Sequence, residues 1–168
     1  MMKQDMPIIG KTRKINIIGH ANGVPAKIDT GADSSAIWAT NIRMSADGIL
    51  HFTLFGEGSP YYTGEILTRK DFKVAQVASS NGHIQIRYRV TLPIRLGGRR
   101  IRTLFNLSDR SGNKFPILLG RRTITGKFLV DVTRGLTIQK RFSSTRLNRE
   151  LKKDPYAFYQ KYHNQTED

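Results

Sequence analysis

The sequence contains no cysteine. That excludes disulfides, thiol nucleophiles and every zinc site built on thiolates. Nor does it hold an apolar run approaching the roughly 20 residues that a membrane-spanning helix needs, so no membrane association is expected. The apolar piece ahead of Gly10 covers only residues 6–9. It is too short for the core of a secretory signal, and a cytoplasmic location is the expectation. Histidines number four, at His20, His51, His83 and His163, with no His-Glu-x-x-His pair. A Walker-type phosphate loop is missing as well. Neither a metal nor a nucleotide cofactor is therefore expected. Acidic residues are scarce, 13 against 28 Lys plus Arg, for a net charge of +15. Between Asp71 and Asp109 there is none, while Lys73, Arg87, Arg89, Arg95, Arg99, Arg100 and Arg102 all fall there. Arg134, Lys140, Arg141, Arg146, Arg149, Lys152 and Lys153 form a second basic group. Such an excess attracts polyanions, whether nucleic acid, the ribosome or acidic polypeptide, and it also serves an ordinary solvated surface.

What is present is a succession of short β-type runs with glycine-rich turns. Residues 13–18 and 24–28 read as strands around a turn that contains Gly19 and Gly23. Residues 49–55 partly alternate. Residues 74–90 flank Asn81-Gly82, a strong hairpin signal. Residues 89–96 and 99–107 flank Gly97-Gly98 and predict a second hairpin. Residues 122–125 fit a single helical turn, and residues 128–132 a closing strand. This pattern predicts an all-β closed barrel. The expected organisation is a lead-in over residues 1–12, the barrel domain over 13–134, and a basic, partly helical extension over 135–168. In that extension Asp154-Pro155 has the form of an N-cap followed by proline at the first helical position. The helix it starts would place Phe158 and Tyr162 on one face.

Chemistry is concentrated at Ala26-Lys27-Ile28-Asp29-Thr30-Gly31-Ala32-Asp33-Ser34-Ser35. A short apolar strand runs into Asp-Thr-Gly, which puts a carboxylate at a tight turn where glycine lets the backbone bend. The triplet is common and carries little alone. Far downstream Phe115-Pro116-Ile117-Leu118-Leu119-Gly120-Arg121-Arg122 is an apolar run closed by Gly-Arg. The pieces Lys-Ile-Asp-Thr-Gly-Ala, Ser-Ser-Asn-Gly-His, Ser-Asp-Arg-Ser and Ile-Leu-Leu-Gly-Arg, in that order, resemble the retropepsin-like aspartic peptidases. The likeness is greatest to the bacterial and archaeal branch labelled ATP-dependent zinc protease, and it covers about residues 13–134.

Peptide hydrolysis by carboxylates needs two of them, one taking a proton from water while the other gives one. A chain with a single Asp-Thr-Gly and no room for a second lobe supplies one, so a two-fold homodimer is expected, with Asp29 of each copy at the axis. The resemblance implies the same. It further implies that Thr30 braces the two loops across the axis and that Gly31 lets substrate backbone approach. It implies that Asp33 and Arg121 form an ion pair supporting the loop, and that the hairpin tip Ser79, Ser80, Asn81 and Gly82 is a flap. Asp109 reads as a turn-capping residue. The expected activity is an aspartic endopeptidase, with acidic or glutamate-rich substrates as one candidate class. The alternative is a non-catalytic module on the same barrel that binds RNA, ribosome or acidic protein through its basic surface.

Overall fold

The computed structural model describes residues 5–78, 81–136 and 144–163. It divides into two units, Met1–Leu136 and Thr137–Asp168. The first contains strands β1 (Ile8–Gly10), β2 (Thr12–Ile17), β3 (Ala21–Ile28), β4 (Ser35–Met44), β5 (Leu50–Leu54), β6 (Leu67–Arg69), β7 (Lys73–Ala78), β8 (Ile84–Leu96), β9 (Arg99–Ser108) and β10 (Ile117–Leu119). The one-turn helix α1 (Arg121–Ile124) and β11 (Leu129–Asp131) complete it. Helices α2 (Ser144–Lys153) and α3 (Pro155–His163) make up the described part of the second unit.

The expected all-β closed barrel is what the first unit forms. Six strands run in the order β10-β3-β2-β8-β9-β4, and β4 pairs with β10 to close the ring. Closure removes the exposed edges that an open sheet would leave. Strand alternation fills the interior: Val90, Leu92, Ile94 and Leu96 of β8 face it, as do Ile101, Phe105 and Leu107 of β9 and Val24, Ala26 and Ile28 of β3. Each fully buried side chain of this kind contributes about 1.5–3 kcal/mol. The Gly97-Gly98 turn joins β8 and β9 in register from Leu96↔Arg99 to Arg89↔Asn106. β4 serves two partners. Its first half pairs with β9 and β10, and its second half, from Ala39 on, with β5 across a register break between Thr40 and Arg43. Asn41 lies at that break with φ 52°, a left-handed conformation that asparagine tolerates better than most residues.

One boundary differs from expectation. The lead-in assigned to residues 1–12 contains β1 and the start of β2. Ile8, Ile9 and Gly10 pair in parallel with Leu129, Val130 and Asp131, and Ile9 is buried. A pairing across so much intervening chain leaves no local periodicity to read. In the second unit the Asp154 carboxylate accepts the backbone N–H groups of Tyr156 and Ala157 at 3.1 and 3.0 Å, the capping geometry the sequence predicts. The Phe158 and Tyr162 rings pack with centroids 4.6 Å apart.

Candidate active site

The site is built by threading one strand between two others. β10 lies parallel to β3, with Ile117↔Ala26 and Leu119↔Ile28, and antiparallel to β4, with Ile117↔Ile37. The chain leaving β3 must therefore pass over the end of β10 to reach β4. Residues 29–34, the Asp-Thr-Gly turn, are that crossing. The Asp29 N–H donates to Leu119 O at 2.8 Å, the last rung of the β3–β10 ladder. Asp29 Oδ1 accepts the Gly31 N–H at 3.0 Å, and the Ala32 N–H closes the turn on Asp29 O at 3.2 Å. A Cβ at position 31 would lie 3.3 Å from Asp29 Oδ1, so glycine leaves that face of the carboxylate open. Asp29 is half-buried, and Thr30 and Gly31 are exposed.

The floor of the crossing is Gly120. A Cβ there would fall 2.5 Å from Ser34 O and 2.9 Å from Ala32 O, both backbone atoms. The Gly120 N–H donates to Ser35 Oγ at 3.0 Å, and Ser35 Oγ shares a hydrogen bond with Thr123 Oγ1 at 2.8 Å. Ser35 and Thr123 are buried, and this short polar chain accounts for both hydroxyls. Asn106 Nδ2 donates to Ser34 Oγ at 3.2 Å from the β9 side. The turn is thus held from below by Gly120 and from the flank by β9.

The arginines after Gly120 clamp the turn from the other side. The Arg121 N–H donates to Ala32 O at 2.7 Å, and Arg121 Nη1 reaches Thr30 O at 3.3 Å and Gly31 O at 3.2 Å. Its Nη2 lies 3.8 Å from Asp33 Oδ1, whereas Arg122 Nη2 lies 2.9 Å from Asp33 Oδ2. Asp33 thus has two arginine neighbours. The expected Asp33–Arg121 contact is the looser of the two, because the Arg121 fork is engaged with two carbonyls. Arg122 is a member of the site that the Gly-Arg pattern did not single out.

Arg110 is a second such member. It is half-buried, and its Nε donates to Phe115 O at 3.0 Å. Burial pulls its guanidinium below the ordinary arginine value, Arg87 acts in the same direction, and the Asp29 carboxylate opposes both. Arg87, Arg110 and Asp29 therefore share one electrostatic neighbourhood. Asp109 caps its turn as expected, accepting the Ser111 N–H at 2.9 Å. That bond, with a lesser contribution from Arg87, holds its carboxyl below the usual range.

The β7–β8 hairpin runs in register from Lys73↔Arg89 to Ala78↔Ile84, leaving residues 79–83 as the connection. Ser79 and Ser80 lie outside the described residues. Asn81 and Gly82 are exposed in the turn, and Gly82 has φ 76°. One face of the hairpin carries Val74, Ile84 and Ile86, all exposed. The other carries Lys73, Arg87 and Arg89, so strand alternation places Arg87 on the face opposite the exposed aliphatics. Zinc is suggested by the label of the branch. Cysteine is missing from the sequence, and among the described residues no three His, Asp or Glu side chains group as ligands. His20 instead contacts Glu65 at 3.2 Å. Among the described residues, no helix is long and apolar enough to cross a membrane.

The profile of a family described as RimB-like, retropepsin-like aspartic endopeptidase RimB, matches residues 8–141. Two curated relatives are similar over 126 residues, or 66% of this chain: a probable alpha-L-glutamate ligase of Shewanella halifaxensis at 34% identity and one of Shewanella pealeana at 33%. The matched stretch is 26% of each of those proteins. This chain thus corresponds to about a quarter of the ligases' length. Among solved structures, a Legionella pneumophila protein of unknown function superposes with a TM-score of 0.60 at 28% identity, over 78% of this chain and 97% of that one. With the matched profile reaching from β1 past the end of the barrel, this chain belongs to the RimB-like family of retropepsin-like aspartic endopeptidases.

Proposed function

We propose that the protein is an aspartic endopeptidase whose working centre forms when two copies bring their Asp29 carboxylates together. The observation that carries this reading is the seat of Asp29. A carboxylate is fixed at the apex of a braced crossing, one oxygen is held by the Gly31 N–H, and the turn backbone is clamped by Arg121. One such group cannot both take and give a proton in a single hydrolytic step. Two of them at a symmetry axis hold one proton between them. The ionised member accepts a proton from water as it attacks the peptide carbon, while the protonated member donates to the carbonyl oxygen. Thr30 braces the loops across the axis, and the Asp33 pairs hold each loop's far end. The hairpin with Asn81 and Gly82 at its tip closes over the peptide and excludes water. The exposed Ile8, Leu129 and Val132 on and beside the β1–β11 pair offer apolar area to a second copy.

Arg110, whose guanidinium feels both the Asp29 carboxylate and Arg87, favours substrates with acidic side chains near the scissile bond. The probable glutamate ligases among the relatives agree with a glutamate-rich substrate class. The test compares turnover of glutamate-rich and neutral peptides by the parent and by Asp29→Asn. Cleavage should favour the acidic peptides and fall on the order of 10²–10⁴-fold in the variant. Equal activity of parent and variant removes Asp29 from catalysis. Equal turnover of both peptide classes removes the acidic preference alone.

A further inference from the structure

The outer face of the barrel carries a cationic groove that borders the Asp-Thr-Gly crossing at Ser34, Ser35, Arg122 and Thr123, and whose other cations the hydrolytic reading does not use. Along β8 and β9, strand alternation turns Arg89, Arg100 and Arg102 outward while Val90, Ile101 and Thr103 are buried. These three, with Arg122 and Lys127 from the segment after β10, line a cleft of about 350 Å³ that has no carboxylate in its wall. Arg122 reaches Asp33. Arg89, Arg100, Arg102 and Lys127 have no ion-pair partner among the described residues. Arg89 Nε is moreover buried without any hydrogen-bond acceptor. A second cleft of about 270 Å³ shares Arg89 and Arg102 and adds Arg69, Lys73 and the half-buried ring of Phe72, with Asp71 as its single carboxylate. The two clefts are neighbours that share Arg89, Arg102 and Leu104 as a common wall.

Like charges held this close repel one another, and a buried guanidinium N–H with no acceptor costs free energy. Both costs are offset by an anion that enters the groove. The cations converge from three separate segments on one small volume, more than the two in-plane oxygens of a carboxylate can engage. A phosphodiester presents charge at every unit and oxygens in several directions, and it releases condensed counterions when bound. The Phe72 ring next to the cations adds an aromatic surface of the kind on which bases stack. A concave groove admits one strand more readily than a duplex.

We propose that this groove binds the sugar–phosphate backbone of single-stranded nucleic acid, without sequence preference and independently of Asp29. The test is binding of a fluorescein-labelled oligouridylate to the full-length protein, followed by anisotropy across a salt series. In Arg100→Gln/Arg102→Gln, both changes being at exposed positions, affinity should fall about tenfold. The slope of log affinity against log salt should shrink by about 1.4, from two lost phosphate contacts at about 0.7 each. Arg149→Gln/Lys152→Gln, which removes the same charge from α2, should retain most of the slope, and Asp29→Asn should bind like the parent. Equal losses from both double variants would reduce the effect to net charge and overturn the site, as would lost binding in Asp29→Asn. Displacement of the oligonucleotide by poly-glutamate at matched charge concentration would assign the groove to acidic polypeptide instead.

Discussion

Gly120 shows how one residue fixes the site. Its φ of −86° is open to any amino acid. What forbids a side chain is the backbone of residues 32–34 passing over it. Gly120→Ala should therefore force the crossing apart and destabilise the fold by about 1–3 kcal/mol, the range for overpacking, read as a lowered midpoint in urea unfolding. An unchanged midpoint would mean that the crossing can rise without cost. At this scale the motif residues Asp29, Gly31, Gly120 and Arg121 were legible in the sequence because each sits in a pattern with a mechanism. Arg110 and Arg122 were not. Arg110 stands in the Ser-Asp-Arg-Ser turn, where only Asp109 fits a recognisable pattern, that of a turn cap. Its relation to Asp29 arises only from folding. The Gly-Arg pattern singles out Arg121 alone, and the 2.9 Å approach of Arg122 to Asp33 follows from how α1 leaves β10.

At the scale of elements, period-two alternation located the long strands β8 and β9 and the turn between them. It understated β4, whose small and polar residues hide a ten-residue strand, and it missed β1, which exists only through its distant partner β11. The α2–α3 pair carries its own prediction. Glu150 accepts from Lys161 Nζ and, at 3.0 Å, from the Tyr162 hydroxyl, and these bonds hold its carboxyl below the ordinary glutamate range. A depressed carboxylate stabilises the pair above the ordinary value. That contribution is lost as the pH falls through the depressed one. Amide hydrogen exchange in α3 should therefore be severalfold faster in Glu150→Gln than in the parent near neutrality, and the difference should close in acid. A difference that persists in acid would trace the effect to something other than the ionised carboxylate.

For the whole molecule, the closed barrel explains how a single chain buries its core, and on the proposed reading the lone Asp-Thr-Gly leaves a single chain with half of the catalytic centre. Sedimentation should show a concentration-dependent dimer whose formation parallels peptidase activity. Arg121→Ala, which frees the carbonyls of Thr30 and Gly31, should weaken association about five- to tenfold, the equivalent of about 1 kcal/mol for exposed charge-assisted hydrogen bonds. Full activity in a strictly monomeric parent would sink the shared centre. The all-β architecture was readable from strand and turn patterns. How two copies would meet, on the proposed reading, was not, because symmetry contacts leave no periodic trace in one sequence.

The strand that seats Asp29 arrives late. Gly120 and Ser35, which meet under the turn, are separated by 85 positions in the chain, and closing so long a loop precedes any reward from the contact. A nascent polypeptide thus displays its acidic residue long before it owns the cradle that would aim it. On the proposed reading, the order in which the pieces emerge keeps an incomplete chain from cutting.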